Sequence, residues 1–189
     1  MVSASLVGEG RLVTPFDGLV LMGPPGSGKS FIGNALAARG IASYVELEPL
    51  LVAKFGQGDR FLANKRAALA FIRASYETQL ASASKPVALE STGVSDRPLL
   101  EGLLERFTLA LISVHTPKGV CLERVRDRPR HLNIGNDLAA TAEFYDFWYR
   151  EVEPSYPIAS TIDGTDVERA LHDIARILKG HARERRSDA

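Results

Sequence analysis

Gly23-Pro24-Pro25-Gly26-Ser27-Gly28-Lys29-Ser30 fits the pattern G-x-x-x-x-G-K-[ST], and its surroundings fit too. Leu19-Val20-Leu21-Met22 in front of it reads as a buried strand, and a helical pattern opens behind it from Ser30 through Ala38. Each residue type has a task in that order. The glycines let successive backbone N–H groups turn inward around phosphate oxygens, and the start of the helix adds its positive end. Lys29 can reach the terminal phosphates, and the Ser30 hydroxyl can ligate Mg²⁺. Phe31 follows directly and completes the expected nucleotide-binding stretch. Binding of ATP with Mg²⁺ is the first expectation.

Outward from this loop, apolar runs alternate with helical patterns. Gly18–Met22, Ser43–Leu47, Val87–Glu90, Leu109–His115 and Ile158–Ile162 read as strands. Ser30–Ala38, Asp59–Ala81, Arg97–Arg106, Lys118–Arg126, Leu138–Val152 and Val167–Leu178 read as helices. Continuous apolar strands separated by helices predict an α/β domain with a five-stranded parallel sheet covered on both faces. With the phosphate loop after the first strand, this is the P-loop NTPase fold. The expected layout is an N-terminal extension over residues 1–16, one domain over 17–180, and a flexible tail over 181–189.

A chain of 189 residues suits one domain with a sizeable core. Its charged residues balance to a formal zero, which argues against nucleic acid as the main partner. The single cysteine, Cys121, fits a reducing compartment and reads as a buried helix thiol. No apolar stretch reaches membrane-spanning length, and Met1 to Phe16 lacks the basic and apolar blocks of a leader. The expectation is a soluble, cytoplasmic monomer acting on small molecules, with no membrane partner.

Four further groups carry potential chemistry. In Tyr44-Val45-Glu46-Leu47-Glu48 the two carboxylates are spaced to share one side of an extended strand. One could sit near Mg²⁺ through water while the other accepts a hydroxyl proton; an acidic cap on the turn at Pro49 is the plainer reading. Val87-Ala88-Leu89-Glu90 resembles a strand whose terminal acid holds the metal, leading into the small turn Ser91-Thr92-Gly93. That turn could approach a substrate closely, or could simply precede a helix capped by Ser95 or Asp96. Arg124, Arg126, Arg128 and Arg130 fall within seven residues, punctuated by Pro129 and Gly135. This reads as a mobile lid over about 124–137 that closes on nucleotide, against a solvated helix face as the alternative. Arg150 follows a run of aromatics that reads as packing; it could turn to the cleft or pair with a nearby acid.

These motifs, in this order, resemble the small P-loop metabolite kinases, and the shikimate kinase family most closely, from Gly18 to about Leu178. That family carries two aspartates on its second strand; Glu46 and Glu48 lie at matching distances, 17 and 19 residues beyond Lys29. Ser91-Thr92-Gly93 falls where the family has a glycine-rich turn, and Arg128-Pro129 resembles the Arg-Pro step of its lid. The arginine of the family's R-x-P-x-Y pattern is missing before Pro154-Ser155-Tyr156, and acidic Glu153 reads as occupying the place of that substrate-carboxylate arginine. The resemblance implies a kinase acting on a small hydroxyl-bearing molecule, and the departures point away from shikimate itself. Lys29 and Arg128 would stabilise the transferring phosphoryl group, and Ser30 would bind Mg²⁺ with Glu46 or Glu90. Glu48 would position the acceptor, or Glu46 would deprotonate it, with Ser91, Thr92, Gly93 and Arg150 around the acceptor. Arg124 or Arg126 and the Ile162–Thr165 turn would flank the adenine. The alternatives are a nucleotide or nucleoside kinase and a non-catalytic nucleotide-binding module.

Overall fold

Residues 16–44, 46–56, 58–129 and 137–184 are described by the computed structural model. The apolar run before the phosphate loop forms β1 (Gly18–Met22), buried at every position. It takes the centre of an all-parallel sheet, between β3 (Val87–Ser91) and β4 (Leu109–His115). The edges are β2 (Ser43–Tyr44) beside β3, and β5 (Ser160–Asp163) beside β4. The order is therefore β2-β3-β1-β4-β5, as a five-stranded parallel sheet requires of a chain that winds first one way and then the other. Met22 is level with Ser91 on one side and Ser113 on the other, so the segments leaving these strands open onto one edge.

Alternate residues of β1 feed two cores. Val20 and Met22 join Leu89, Leu111, Tyr76, Leu100, Leu103 and Trp148 on one face. Leu19 and Leu21 join Ile32, Leu36, Ile112, Ile162, Leu171 and Ile174 on the other. The covering helices are α1 (Lys29–Ala38), α2 (Leu47–Phe55), α3 (Gly58–Ala63), α4 (Lys65–Ser82), α5 (Arg97–Leu104), α6 (Lys118–Asp127), α7 (Leu138–Phe147) and α8 (Val167–Glu184). Cys121 is fully buried in α6, as its apolar neighbours imply.

Several elements differ from the sequence reading. The strand expected over Ser43–Leu47 stops at Tyr44, and Leu47 begins α2. Leu47, Leu51 and Phe55 recur every fourth residue and are all buried, a helical stripe with more apolar area to bury than a longer edge strand offers. Pro49 costs this helix nothing, because it sits in the first turn, where no N–H has an intrahelical partner. The single helix expected over Asp59–Ala81 is two, broken at Asn64, whose side chain donates to the Arg60 carbonyl at 2.8 Å. The helix expected over Leu138–Val152 becomes a π-helix at Trp148–Val152 and then a 3₁₀ turn at Glu153–Ser155. The tail expected from residue 181 begins inside α8, which runs to Glu184. Residues 1–15 and 185–189 lie outside the described residues, as do 130–136 of the expected lid, with Arg130 and Gly135.

Candidate active site

The loop between β1 and α1 is bent by glycines where nothing larger fits. Gly26 has φ +81°, and a Cβ there would stand 2.3 Å from the Cys121 carbonyl oxygen. Gly28, at φ +99°, is the residue from which α1 starts. Two side chains brace the loop from outside. Thr116 donates to the Ser27 carbonyl at 2.8 Å. Arg124 donates to the Gly26 carbonyl at 3.2 Å and to Gly164 at 3.0 Å, tying the phosphate loop to the turn after β5. Pro24 and Pro25 lie in this loop, and Ser27 is completely buried beneath it. Phe31 is exposed on the outer face of α1.

Lys29 folds back over its own loop, donating to the Gly23 carbonyl at 2.8 Å and the Pro24 carbonyl at 2.9 Å. Desolvation lowers its pKa, opposed by the nearby charges of Glu90 and Glu48. Beside it, the Ser30 hydroxyl donates to Glu90 Oε2 at 2.9 Å. Burial raises the Glu90 carboxyl above the usual range, opposed by Lys29 and by the Ser30 hydrogen bond. Tyr76 fixes the end of β3 by donating to the Glu90 carbonyl at 2.9 Å.

One alcohol and one carboxylate, meeting at the end of a phosphate loop, are the oxygen set that suits Mg²⁺. Among the described residues no group of three or more His, Cys, Asp or Glu could hold a metal ion. A donor pair of this kind fits a metal that arrives with substrate phosphates, and the residues present therefore fit the ion.

The expected acceptor residues are only partly gathered. Glu48, in the first turn of α2, meets Arg128 at 2.9 Å, and its charge is felt by both Lys29 and Glu90. Glu46 is not beside Ser30. It stands at the start of α2, where Asn34 donates to it at 3.4 Å, one helical turn further along α1. The change from strand to helix separates the two glutamates that an extended chain would keep on one side. The turn after β3 is held firmly. Gly93 N–H donates to Ser91 Oγ at 2.7 Å, and Trp148 Nε1 donates to the Thr92 carbonyl at 2.7 Å. Tyr156 donates to the Gly93 carbonyl at 2.7 Å. At Gly93, φ is +70°, a left-handed conformation that favours glycine at that corner.

Two arginines go elsewhere. Arg126 lies about 200° around α6 from Arg124 and pairs with Asp127 at 2.8 Å on an exposed surface. Arg150 pairs with its neighbour Glu151 at 2.8 Å and is largely exposed. Neither is brought to the phosphate loop. The position two residues before Pro154 is Val152, buried in the core, and Ser113 donates to Glu153. Sequence reasoning missed one acid at this edge: Asp96, read only as a cap. Its signal was its place five residues after Ser91, at the mouth of the same turn.

The sequence matches no protein-family model and no curated protein. Solved structures do resemble it. Shikimate kinase from Acinetobacter baumannii, in complex with shikimate, superposes with a TM-score of 0.59 at 15% identity, covering 89% of this chain and 96% of that one. A gluconokinase from Sinorhizobium meliloti gives 0.56 at 19%, covering 89% and 98%. Deoxyadenosine kinase from M. mycoides with bound dATP gives 0.52 at 13%, covering 86% and 99%. Together with the strand order and the phosphate loop, these likenesses show that the chain is built on the fold of the small P-loop kinases.

Proposed function

We propose that the chain is an ATP- and Mg²⁺-dependent kinase that moves the γ-phosphoryl group to a hydroxyl of a small molecule. The Ser30–Glu90 contact beside Lys29, at the mouth of the phosphate loop, carries this reading. The neighbours' names add support, since each is a kinase of a small hydroxyl-bearing compound. The loop amides from Pro25's successor onward hold the phosphates, and Lys29 exchanges its loop carbonyls for phosphate oxygens. Ser30 and Glu90 hold Mg²⁺, which when bound supplies positive charge to the phosphate oxygens. Glu48 faces the acceptor hydroxyl and takes its proton as the new P–O bond forms and the bond to ADP breaks. Arg128, already against Glu48, offsets charge on the group in flight. Arg124 and the Ile162–Thr165 turn flank the adenine. The test is Mg²⁺-dependent ADP release across sugars, sugar acids, nucleosides, nucleotides and aminoglycosides. Strong stimulation by one class is the expected result. Tight ATP binding with no stimulation by any class would instead point to a nucleotide-binding module.

A further inference from the structure

Tyr44 ends β2, level with Ala88 of β3. Side chains alternate along a strand, so Glu90, two residues beyond Ala88, leaves the sheet on the same face as Ala88. Tyr44 and Ala88 both pack into the core that α1 enters through Ile32 and Leu36. The tyrosine ring lies against α1 at Gly33. A Cβ there would come within 2.5 Å of the ring, and within 2.7 Å of the carbon that carries the hydroxyl. Gly33 follows Ser30 by three residues and shares its side of the helix. Ser30 in turn donates to Glu90 at 2.9 Å. Strand register, helix face and the Ser30–Glu90 bond thus bring the phenol beside that pair.

The Tyr44 hydroxyl oxygen is fully buried, and among the described residues it has no hydrogen-bond partner. A buried O–H without an acceptor destabilises a fold, and phenylalanine would fill the same space without that cost. The acceptor beside it is Glu90. Hydrogen bonding from Tyr44 favours the charged form of that carboxyl, as hydrogen bonding from Ser30 does. Burial and the Glu90 charge both push the phenol above its usual range, so it keeps its proton and remains a donor. An ionised carboxylate can accept about four hydrogen bonds, and Ser30 supplies one of them, to Oε2. Once Ser30 turns its oxygen to a metal ion, the ion rather than Glu90 sets its rotamer. A second donor, on a ring held against a helix, then keeps the carboxylate in place.

We infer that Tyr44 is a positioning residue for the metal-holding acid: its hydroxyl donates to the Glu90 carboxylate and keeps it aimed at Ser30 when Mg²⁺ and nucleotide bind, and Gly33 leaves room for the ring. This rests on the reading of Ser30 and Glu90 as the Mg²⁺ pair. The test reads binding rather than turnover. The full-length chain and Tyr44→Phe are titrated by calorimetry with a non-hydrolysable ATP analogue, once in EDTA and once in Mg²⁺. Tyr44→Phe keeps the ring against Gly33 and removes only the hydroxyl. In EDTA the two proteins should bind within about twofold of each other, and in Mg²⁺ the variant should bind about tenfold more weakly, the scale of losing a group that orients a metal ligand. Equal affinities of the two proteins in Mg²⁺ would overturn the inference. A merely structural role would weaken binding equally in both buffers, and that result would overturn it as well. A wild-type chain whose affinity is the same in EDTA and in Mg²⁺ would overturn instead the assignment of Mg²⁺ to Ser30 and Glu90.

Discussion

At Lys29, desolvation and charge pull in opposite directions, and the loop carbonyls of Gly23 and Pro24 hold the ammonium. Lys29→Ala should lower phosphoryl transfer by about 100-fold or more, the scale of losing one donor aimed at developing charge; comparing kcat with wild type checks it. Asp96 makes a pH prediction. Its folded pKa is raised by burial, so the protonated form suits the fold, and stability falls as pH rises through that pKa. Wild type should therefore lose melting temperature relative to Asp96→Asn as pH rises above the ordinary carboxyl range, about pH 4; parallel melts at rising pH would refute this if they kept a constant gap. Single residues were legible in position where the motif itself dictates it, as at Lys29 and Ser30, which the structure sets side by side at the end of the loop. They were not where an adjacent partner decides. Arg126 and Arg150 each have an acid as the next residue and pair with it on the surface. Asp96 looked like a cap because its position is that of one, and only the direction of its carboxylate shows otherwise.

Among the elements, α1, β1 and β4 follow from the sequence because long apolar periodicity leaves little choice. The segment after Tyr44 was harder. Glu46-Leu47-Glu48-Pro49 alternates like a strand and contains a proline, and only the spacing of Leu47, Leu51 and Phe55 over the next turns identifies the helix. That choice sends Glu46 to Asn34 and Glu48 to Arg128, so reading one element differently changes which acid meets the site. The contact between the phosphate loop and α6 is equally consequential. Gly26→Ala would force a Cβ against the Cys121 backbone in a left-handed conformation. The cost should be about 2 kcal/mol or more, a fall in Tm of roughly 4–8 °C for a chain of this size, measurable by calorimetry. An unchanged Tm would mean that α6 does not bear on the loop.

Across the whole molecule, the five parallel strands and their two cores were readable, because alternate β1 residues must be buried on both faces. What could not be read is how distant segments meet at the sheet's edge. Arg124 joins the loop after β1 to the turn after β5, and Glu153 reaches Ser113 across forty residues of chain. Such meetings depend on sheet order, β2-β3-β1-β4-β5, which no local pattern encodes. Among the described residues no helix is long and apolar enough to cross a membrane. The chain has one tryptophan, and it is completely buried with its indole N–H on the Thr92 carbonyl. The protein thus carries a built-in optical reporter at the turn after β3. Its intrinsic emission should shift when an acceptor settles against that turn and stay unchanged with a non-hydrolysable ATP analogue alone, so a label-free titration can follow the occupancy of one half of the cleft while the other is filled.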